Sequence, residues 1–287
     1  MATCNSDHQR LAVGVRDGSI FPLASECRKN RNVPRTLGSP NWRVQVDAPR
    51  PAREQMSRDA ALAAEAVPTL RLFRWDPPAM SLGWKQPYPE WYVESRWHDA
   101  GLELVERPTG GGIAFHGSDV SVSVIVPRGL QLSLEHLMST VCQVTVRFCR
   151  TYGVEATPSL DEKSEGRITY CLTQPSPYAV FIESRKVAGF ALRRFPETWL
   201  IQGSVFVRPL PPALTRVLPW EVQHQLALRA VALSEVAGMP VNEDGLAQRW
   251  AKHWATWWEE MISPIWKSDF ADSISVESVV RKSAESF

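Results

Sequence analysis

Between Ser121 and Tyr152 the chain changes its hydrophobic period, and that change limits its architecture more than any other feature. Ser121-Val122-Ser123-Val124-Ile125-Val126 alternates until Pro127 stops it, as a strand does. Leu132 to Tyr152 then sets Leu134, Leu137, Val141, Val144, Phe148 and Tyr152 near one face of a long helix. Each element needs an apolar surface to cover it, which points to helices packed on a sheet.

The flanking sequence extends the pattern. Trp42 to Val46 alternates as a strand, and Pro51 to Ala66 reads as a helix closed by Pro68. Leu70 to Trp75 is a strand broken by Asp76-Pro77-Pro78, and Leu102 to Val105 is another. Tyr178 to Ile182, Lys186 to Ala191 and Trp199 to Val207 are three further strands joined by short polar turns. Trp220 to Val236 and Glu243 to Met261 read as helices. The second carries Trp250, Trp254 and Trp257 at helical spacing beside Trp258, a stripe suited to packing. The fold class predicted is α+β, a mixed β-sheet flanked by α-helices. Residues 1–41 show neither period and carry scattered turn formers, so they are expected to form a mobile N-terminal extension. The main domain is expected over 42–265, with a C-terminal tail over 266–287.

Charge and cysteine content exclude several function classes. With 32 basic and 31 acidic residues the chain lacks the basic excess that nucleic-acid phosphates demand. No apolar run reaches the roughly 18 residues of a membrane span. The opening MATCNSDHQR lacks the apolar segment of a secretory signal, and Asp7, Asp17 and Glu26 do not suit an acid-poor transit peptide. A cytoplasmic protein without nucleic-acid or membrane partners is expected. The five cysteines show neither paired spacing nor a C-x-x-C motif, so neither a disulfide framework nor a metal site is expected. Cys142 and Cys149, seven apart on the long helix, fit neighbours on a packed face.

Two segments carry residues suited to chemistry. Arg107-Pro108-Thr109-Gly110-Gly111-Gly112 leads through Ile113-Ala114-Phe115 to His116-Gly117 between two strands. Three glycines in a row suit a chain that approaches something closely or turns through positive φ, and their N–H groups can form an anion-binding concavity. A flexible connector accounts for them equally well; Arg107 and His116 add a cation and a titratable donor beside them. The second segment places Cys171 just before the proline-rich Gln174-Pro175-Ser176-Pro177, on a loop, with Lys186 fifteen residues downstream. A free thiol titrates near about 8.5, and a neighbouring cation brings it lower. A structural cysteine beside a solvated lysine is the alternative.

Taken together the segments resemble the biotin/lipoate protein ligase superfamily, closest to its cysteine-dependent octanoyltransferases. The match runs through Met56 to Leu62; Arg71 to Trp75 with Ser81-Leu82-Gly83 and Gln86; Arg107 to His116; Cys171 with Pro175-Ser176 and Tyr178; and Arg185 to Gly189 with Gln202-Gly203-Ser204. The resemblance implies a catalytic domain of that superfamily over 42–265. It implies that Cys171 holds the acyl group as a thioester and that Lys186 lowers the thiol's pKa. Arg107, Thr109, Gly110, Gly111, Gly112, His116, Gly189 and Gly203 are implied to bind substrate. The implied donor is acyl carrier protein, and the implied acceptor is a lysine of a lipoyl domain or of a glycine-cleavage H-type protein. Such a transfer needs no cofactor. A relative that works as an ATP-dependent lipoate ligase would need ATP and magnesium. A carrier-to-carrier octanoyl amidotransferase, or a non-catalytic acyl- or lipoyl-protein-binding module, would fit the same residues. Glu106, Ser184, Phe190, Leu192 and Gln202 depart from the family pattern, and Phe190 and Leu192 are expected to reshape the pocket.

Overall fold

The computed structural model describes residues 13–16, 19–22, 42–130, 132–160, 169–241 and 245–262. The chain divides into Met1–Gly38 and Ser39–Phe287. In the first unit, strands β1 (Val13–Arg16) and β2 (Ser19–Pro22) pair antiparallel. The sequence of this segment shows no period that marks these two strands. The sequence pair Asp17-Gly18 between them is a tight-hairpin signal, and the strands are too short for alternation to stand out. The C-terminal tail expected over 266–287 lies outside the described residues.

The second unit runs β3 (Arg43–Val46), α1 (Ala52–Glu65), β4 (Thr69–Phe73), β5 (Ala79–Leu82), α2 (Glu94–Asp99), β6 (Glu103–Glu106), β7 (Ala114–His116) and β8 (Asp119–Pro127). It continues through α3 (Leu134–Arg150), β9 (Thr157–Ser159), β10 (Ala179–Ile182), β11 (Arg185–Arg194) and β12 (Thr198–Phe206), then α4 (Pro212–Val217), α5 (Trp220–Arg229), α6 (Leu233–Val236) and α7 (Leu246–Ile262). Seven strands form one sheet in the order β3-β4-β8-β12-β11-β10-β9, with β3 parallel to β4 and every other pair antiparallel. A smaller sheet, β6-β5-β7, pairs β5 parallel to β6 and antiparallel to β7. The mixed sheet and its flanking helices make the fold α+β, as the periodicity predicts.

The Ser-Val alternation of β8 separates two buried environments. Val122, Val124 and Val126 join Leu137, Val141 and Phe148 of α3, together with Trp250 and Trp254 of α7, in the largest core cluster. Ser121 and Ser123, on the opposite face, are also buried, at 3% and 0% exposure. α3 starts at Ser133, whose side chain accepts from the His136 N–H at 3.1 Å and so satisfies a free amide of the first turn. α1 ends where Ala66 turns left-handed at φ 55°, two residues before Pro68.

The single helix expected over Trp220 to Val236 is two helices. At Ala230 the backbone becomes extended, Ala230 bridges Lys186, and the Val231 N–H donates to the Lys186 carbonyl at 3.0 Å. Pairing with β11 thus overrides helix propensity there. β5 and β7 leave no recognisable pattern in the sequence. Each is flanked by prolines or glycines and is too short to show a period. Among the described residues no helix is long and apolar enough to cross a membrane.

Candidate active site

The glycine loop and the cysteine turn are stitched together by backbone. The Ile113 N–H donates to the Thr169 carbonyl at 2.7 Å, and the Cys171 N–H donates to the Ile113 carbonyl at 2.8 Å. On its other side the loop leans on Gly83, where a Cβ would lie 2.0 Å from the Gly111 carbonyl oxygen. That distance is below any atomic contact, so Gly83 is required by close approach. Gly111 has φ +91°, and a Cβ there would come 3.5 Å from the Cys171 Sγ and 3.0 Å from the Arg107 Nη2. The triple glycine is therefore a close-approach element against the thiol.

The loop turns its carbonyls inward. The Arg107 Nη2 donates to the carbonyls of Gly110 at 2.9 Å and Gly112 at 2.7 Å, and lies 3.4 Å from the Cys171 Sγ. The anion concavity expected from glycine amides is thus occupied on its carbonyl side by the arginine. The Arg107 Nη1 donates to the Ser81 carbonyl and to its hydroxyl, both at 3.1 Å. His116 joins its Nε2 to the Ser81 hydroxyl at 2.7 Å and its Nδ1 to the Asp119 carboxylate at 2.8 Å, while its ring stacks on Trp75 with centroids 4.0 Å apart. Asp119 also accepts from the hydroxyls of Ser121 and Ser204 and from the Gly117 N–H. Burial alone would raise its carboxyl pKa. The neighbouring His116 and its hydrogen bond, with those from Ser204 and Gly117, outweigh that and hold it below the usual carboxylate value.

Lys186 is 1% exposed, and its Nζ donates to the carbonyls of Cys171 at 2.9 Å and Gln174 at 2.5 Å and to the Ser176 hydroxyl at 2.9 Å. A bulge aims it there. Val180 pairs with Ala188 while Phe181 pairs with Lys186, so Val187 is an extra residue on β11. Val187 and Ala188 are both buried in the cluster against α3. Strict alternation would have put Lys186 on the side of Ala188; the extra residue turns it to the cysteine turn.

These groups border a cavity of about 330 Å³ with a largely apolar wall that includes Met56, Phe73, Met138, Phe190, Leu192 and Phe206. Arg107, Gly110, Gly111, His116, Cys171, Gly189 and Gly203 line it as well. Thr109, Gly112 and Lys186 stand behind the lining. Thr109 donates to the Gln202 Oε1 at 2.7 Å, and the Gln202 Nε2 donates to Asp59 at 2.5 Å. Asp59 is ion-paired with buried Arg71 at 2.5 Å, and Arg71 also pairs with Asp47 at 2.7 Å. Gln202, a departure from the family pattern, is therefore the link between the glycine loop and this charge network. Phe190 lies across Gly203, where a Cβ would meet the Phe190 Cδ1 at 2.0 Å. Glu106 is exposed at the end of β6. Ser81, Asp119, Asp59 and Arg71 had no assigned role from sequence; His-x-x-Asp at 116–119 was the one local signal for the first pair.

Cys142 and Cys149 are buried on α3, where desolvation pushes both thiols up to about 12. Cys171 is partly exposed. Among the described residues no group of three His, Cys, Asp or Glu side chains gathers as metal ligands do.

Residues 51–255 match the model of the lipoyl protein ligase A/B catalytic domain. The chain is 30% identical over 236 residues to octanoyltransferase LipM of Kyrpidia tusciae, covering 74% of this chain and 86% of that one. It is 29% identical over 223 residues to octanoyltransferase LipM of Symbiobacterium thermophilum, covering 70% and 81%. The fold is similar to that of a bi-partite lipoate protein ligase from Thermoplasma acidophilum, with a TM-score of 0.56 and 18% identity over 83% of this chain and 88% of that one.

Proposed function

The chain belongs to the lipoyl protein ligase A/B catalytic domain family, and on that premise we propose that it is an octanoyltransferase of protein lipoylation working through a thioester on Cys171. One observation carries this reading. Cys171, partly exposed, borders a largely apolar cavity with a guanidinium 3.4 Å from its sulfur, whereas Cys142 and Cys149 are buried with thiols pushed up to about 12. The cavity of about 330 Å³ lies at the small end of the roughly 300–1,000 Å³ that ligand pockets span, which suits a single acyl chain.

The donor is octanoyl-acyl carrier protein. The Cys171 sulfur attacks the thioester carbonyl, the bond from that carbonyl to the carrier's sulfur breaks, and the carrier leaves as a thiol. The ε-amine of the acceptor lysine then attacks the Cys171 thioester, loses a proton and forms the amide, and Cys171 leaves as the thiol. The acceptor is a lipoyl domain or a glycine-cleavage H-type protein. Arg107 stands where charge develops on sulfur. Lys186 holds the turn that presents Cys171 and adds a second cation beside it. A thioester donor is already activated, so the transfer consumes no ATP. The catalytic domain spans 42–265.

Mixing the protein with octanoyl-acyl carrier protein without ATP is expected to add one octanoyl mass to the intact protein. Hydroxylamine should remove it, and Cys171→Ser should abolish it. Transfer that needs ATP and survives Cys171→Ser would make the chain an ATP-dependent ligase instead.

A further inference from the structure

Behind the thiol stands a continuous line of hydrogen bonds, and we infer that Ser81, His116 and Asp119 are positioning residues that hold the Arg107 guanidinium against the Cys171 sulfur. The inference rests on Cys171 being the nucleophile. It adds support of the arginine to the place of His116 in the cavity wall and gives Ser81 and Asp119 a part in the reaction.

One assignment of the protons gives every hydrogen in this line an acceptor. A guanidinium only donates, so the Ser81 hydroxyl accepts from the Arg107 Nη1 at 3.1 Å. The hydroxyl has one hydrogen of its own, and in this assignment the His116 Nε2 at 2.7 Å accepts it. That nitrogen then carries a lone pair, so the proton sits on Nδ1 and donates to Asp119 at 2.8 Å. With this assignment every hydrogen in the line has an acceptor. A doubly protonated imidazole would displace the serine hydrogen and set a second cation behind Arg107.

The line is also rigid. Ser81, His116 and Asp119 are 0%, 5% and 3% exposed. The imidazole is clamped by Trp75, whose Nε1 donates to the Ser121 hydroxyl at 2.8 Å. Asp119 is fixed from three further directions by Gly117, Ser121 and Ser204. Guanidinium orientation decides whether Nη2 reaches sulfur, because both amino groups of a planar fork move together. Losing the Ser81 hydroxyl removes one of the two bonds that fix Nη1 and lets the fork turn. Among the described residues, the charged and titratable groups facing the thiol segment are Arg107 from the loop after β6, Lys186 from β11 and Tyr178 before β10; His116 of β7 and Asp119 of β8 support Arg107 and border the same cavity.

The test is the rate at which iodoacetamide alkylates Cys171, followed on the peptide that contains it, between about pH 6 and about pH 10. Wild type, Ser81→Ala, Ser81→Thr and His116→Phe are compared, with thermal unfolding as the check that each is folded. Ser81→Ala and His116→Phe are expected to slow alkylation about tenfold near neutral pH and to move the rate profile to higher pH, with the same rate at its alkaline end. Ser81→Thr keeps the hydroxyl and should follow wild type. A Ser81→Ala profile superimposed on wild type, or lowered equally at every pH, would overturn the inference. If His116→Phe fails to fold, Ser81→Ala decides alone. Wild type that takes no octanoyl group while Ser81→Ala still shifts the profile would refute the transferase reading and leave the positioning line standing.

Discussion

The two faces of the seven-stranded sheet are built from different materials. Toward α3 and α7 lie valines, leucines, phenylalanine and two tryptophans, so dry that the Trp250 indole N–H has no hydrogen-bond partner among the described residues. Toward α1 the same strands present Arg71, Ser121, Ser123, Gln202 and Ser204, all drawn into hydrogen bonds. The apolar face gains from area removed from water and tolerates small shifts of any one group. The polar face gains little net energy from its ion pairs but fixes direction, since a displaced buried charge costs several kcal/mol. One face therefore carries stability and the other carries geometry, and the glycine loop is tied to the second through Gln202.

That division can be broken experimentally, and the largest effect is expected on the apolar side. Trp250→Ala should lower unfolding free energy by about 3–5 kcal/mol in denaturant titration, with Cys171 alkylation in the folded fraction unchanged. A slowed thiol would show that the faces are coupled. Gln202→Ala should cost less, about 1–3 kcal/mol, because it strands the Thr109 hydroxyl and leaves the Asp59 Oδ2 with Ser123 alone of its two donors. Its effect on octanoyl-adduct formation should nevertheless exceed that of Trp250→Ala, since the loop loses its anchor. Equal turnover in the two variants would dissolve the distinction.

The effect smallest near neutral pH is that of titration, which grows only toward the two ends of the scale. Cys142 and Cys149 have folded pKa values raised from 9.0 to about 12. Above pH 9 the unfolded chain releases these protons and the folded chain keeps them, so stability falls as pH rises from 9 toward about 12. The polar face has the opposite limb. Asp47 and Asp119 have folded values below 3.8 despite burial, Asp47 because Arg71 and Arg58 outweigh its desolvation, so their contribution is lost as pH falls below 3.8. Stability measured against pH for Cys142→Ala should flatten only the alkaline limb.

Periodicity made the apolar face legible from the sequence. Leu137, Val141, Val144 and Phe148 read as one stripe, and they pack on the valines of β8. The polar face was legible only in fragments, because Ser121 and Ser123 look like the solvent side of an ordinary strand. Arg107, Cys171 and Lys186 could be picked out as types of residue beside glycine or proline. Their joining could not, since it runs through partners far apart in the chain: Ser81 is 35 residues from His116, and Asp59 is 12 from Arg71, 64 from Ser123 and 143 from Gln202. The break at Ala230 was hidden for the same reason: its cause is Lys186, on another strand.

The extra residue at Val187 makes the site a matter of parity. Along a strand, odd and even positions belong to opposite half-spaces, so the side on which a side chain emerges depends on the number of residues counted from a fixed partner. Lys186 reaches the cysteine turn because that count from Ala188 is shifted by one. An indel of a single residue between Lys186 and Gly189 therefore acts on this lysine as a reflection through the sheet: its ammonium would emerge among the valines facing α3, and the carbonyls of Cys171 and Gln174 would lose their cation. Spacing counted along the chain from Cys171 to this lysine stays at fifteen in such a variant. What changes is handedness with respect to the sheet, a property that no linear motif records.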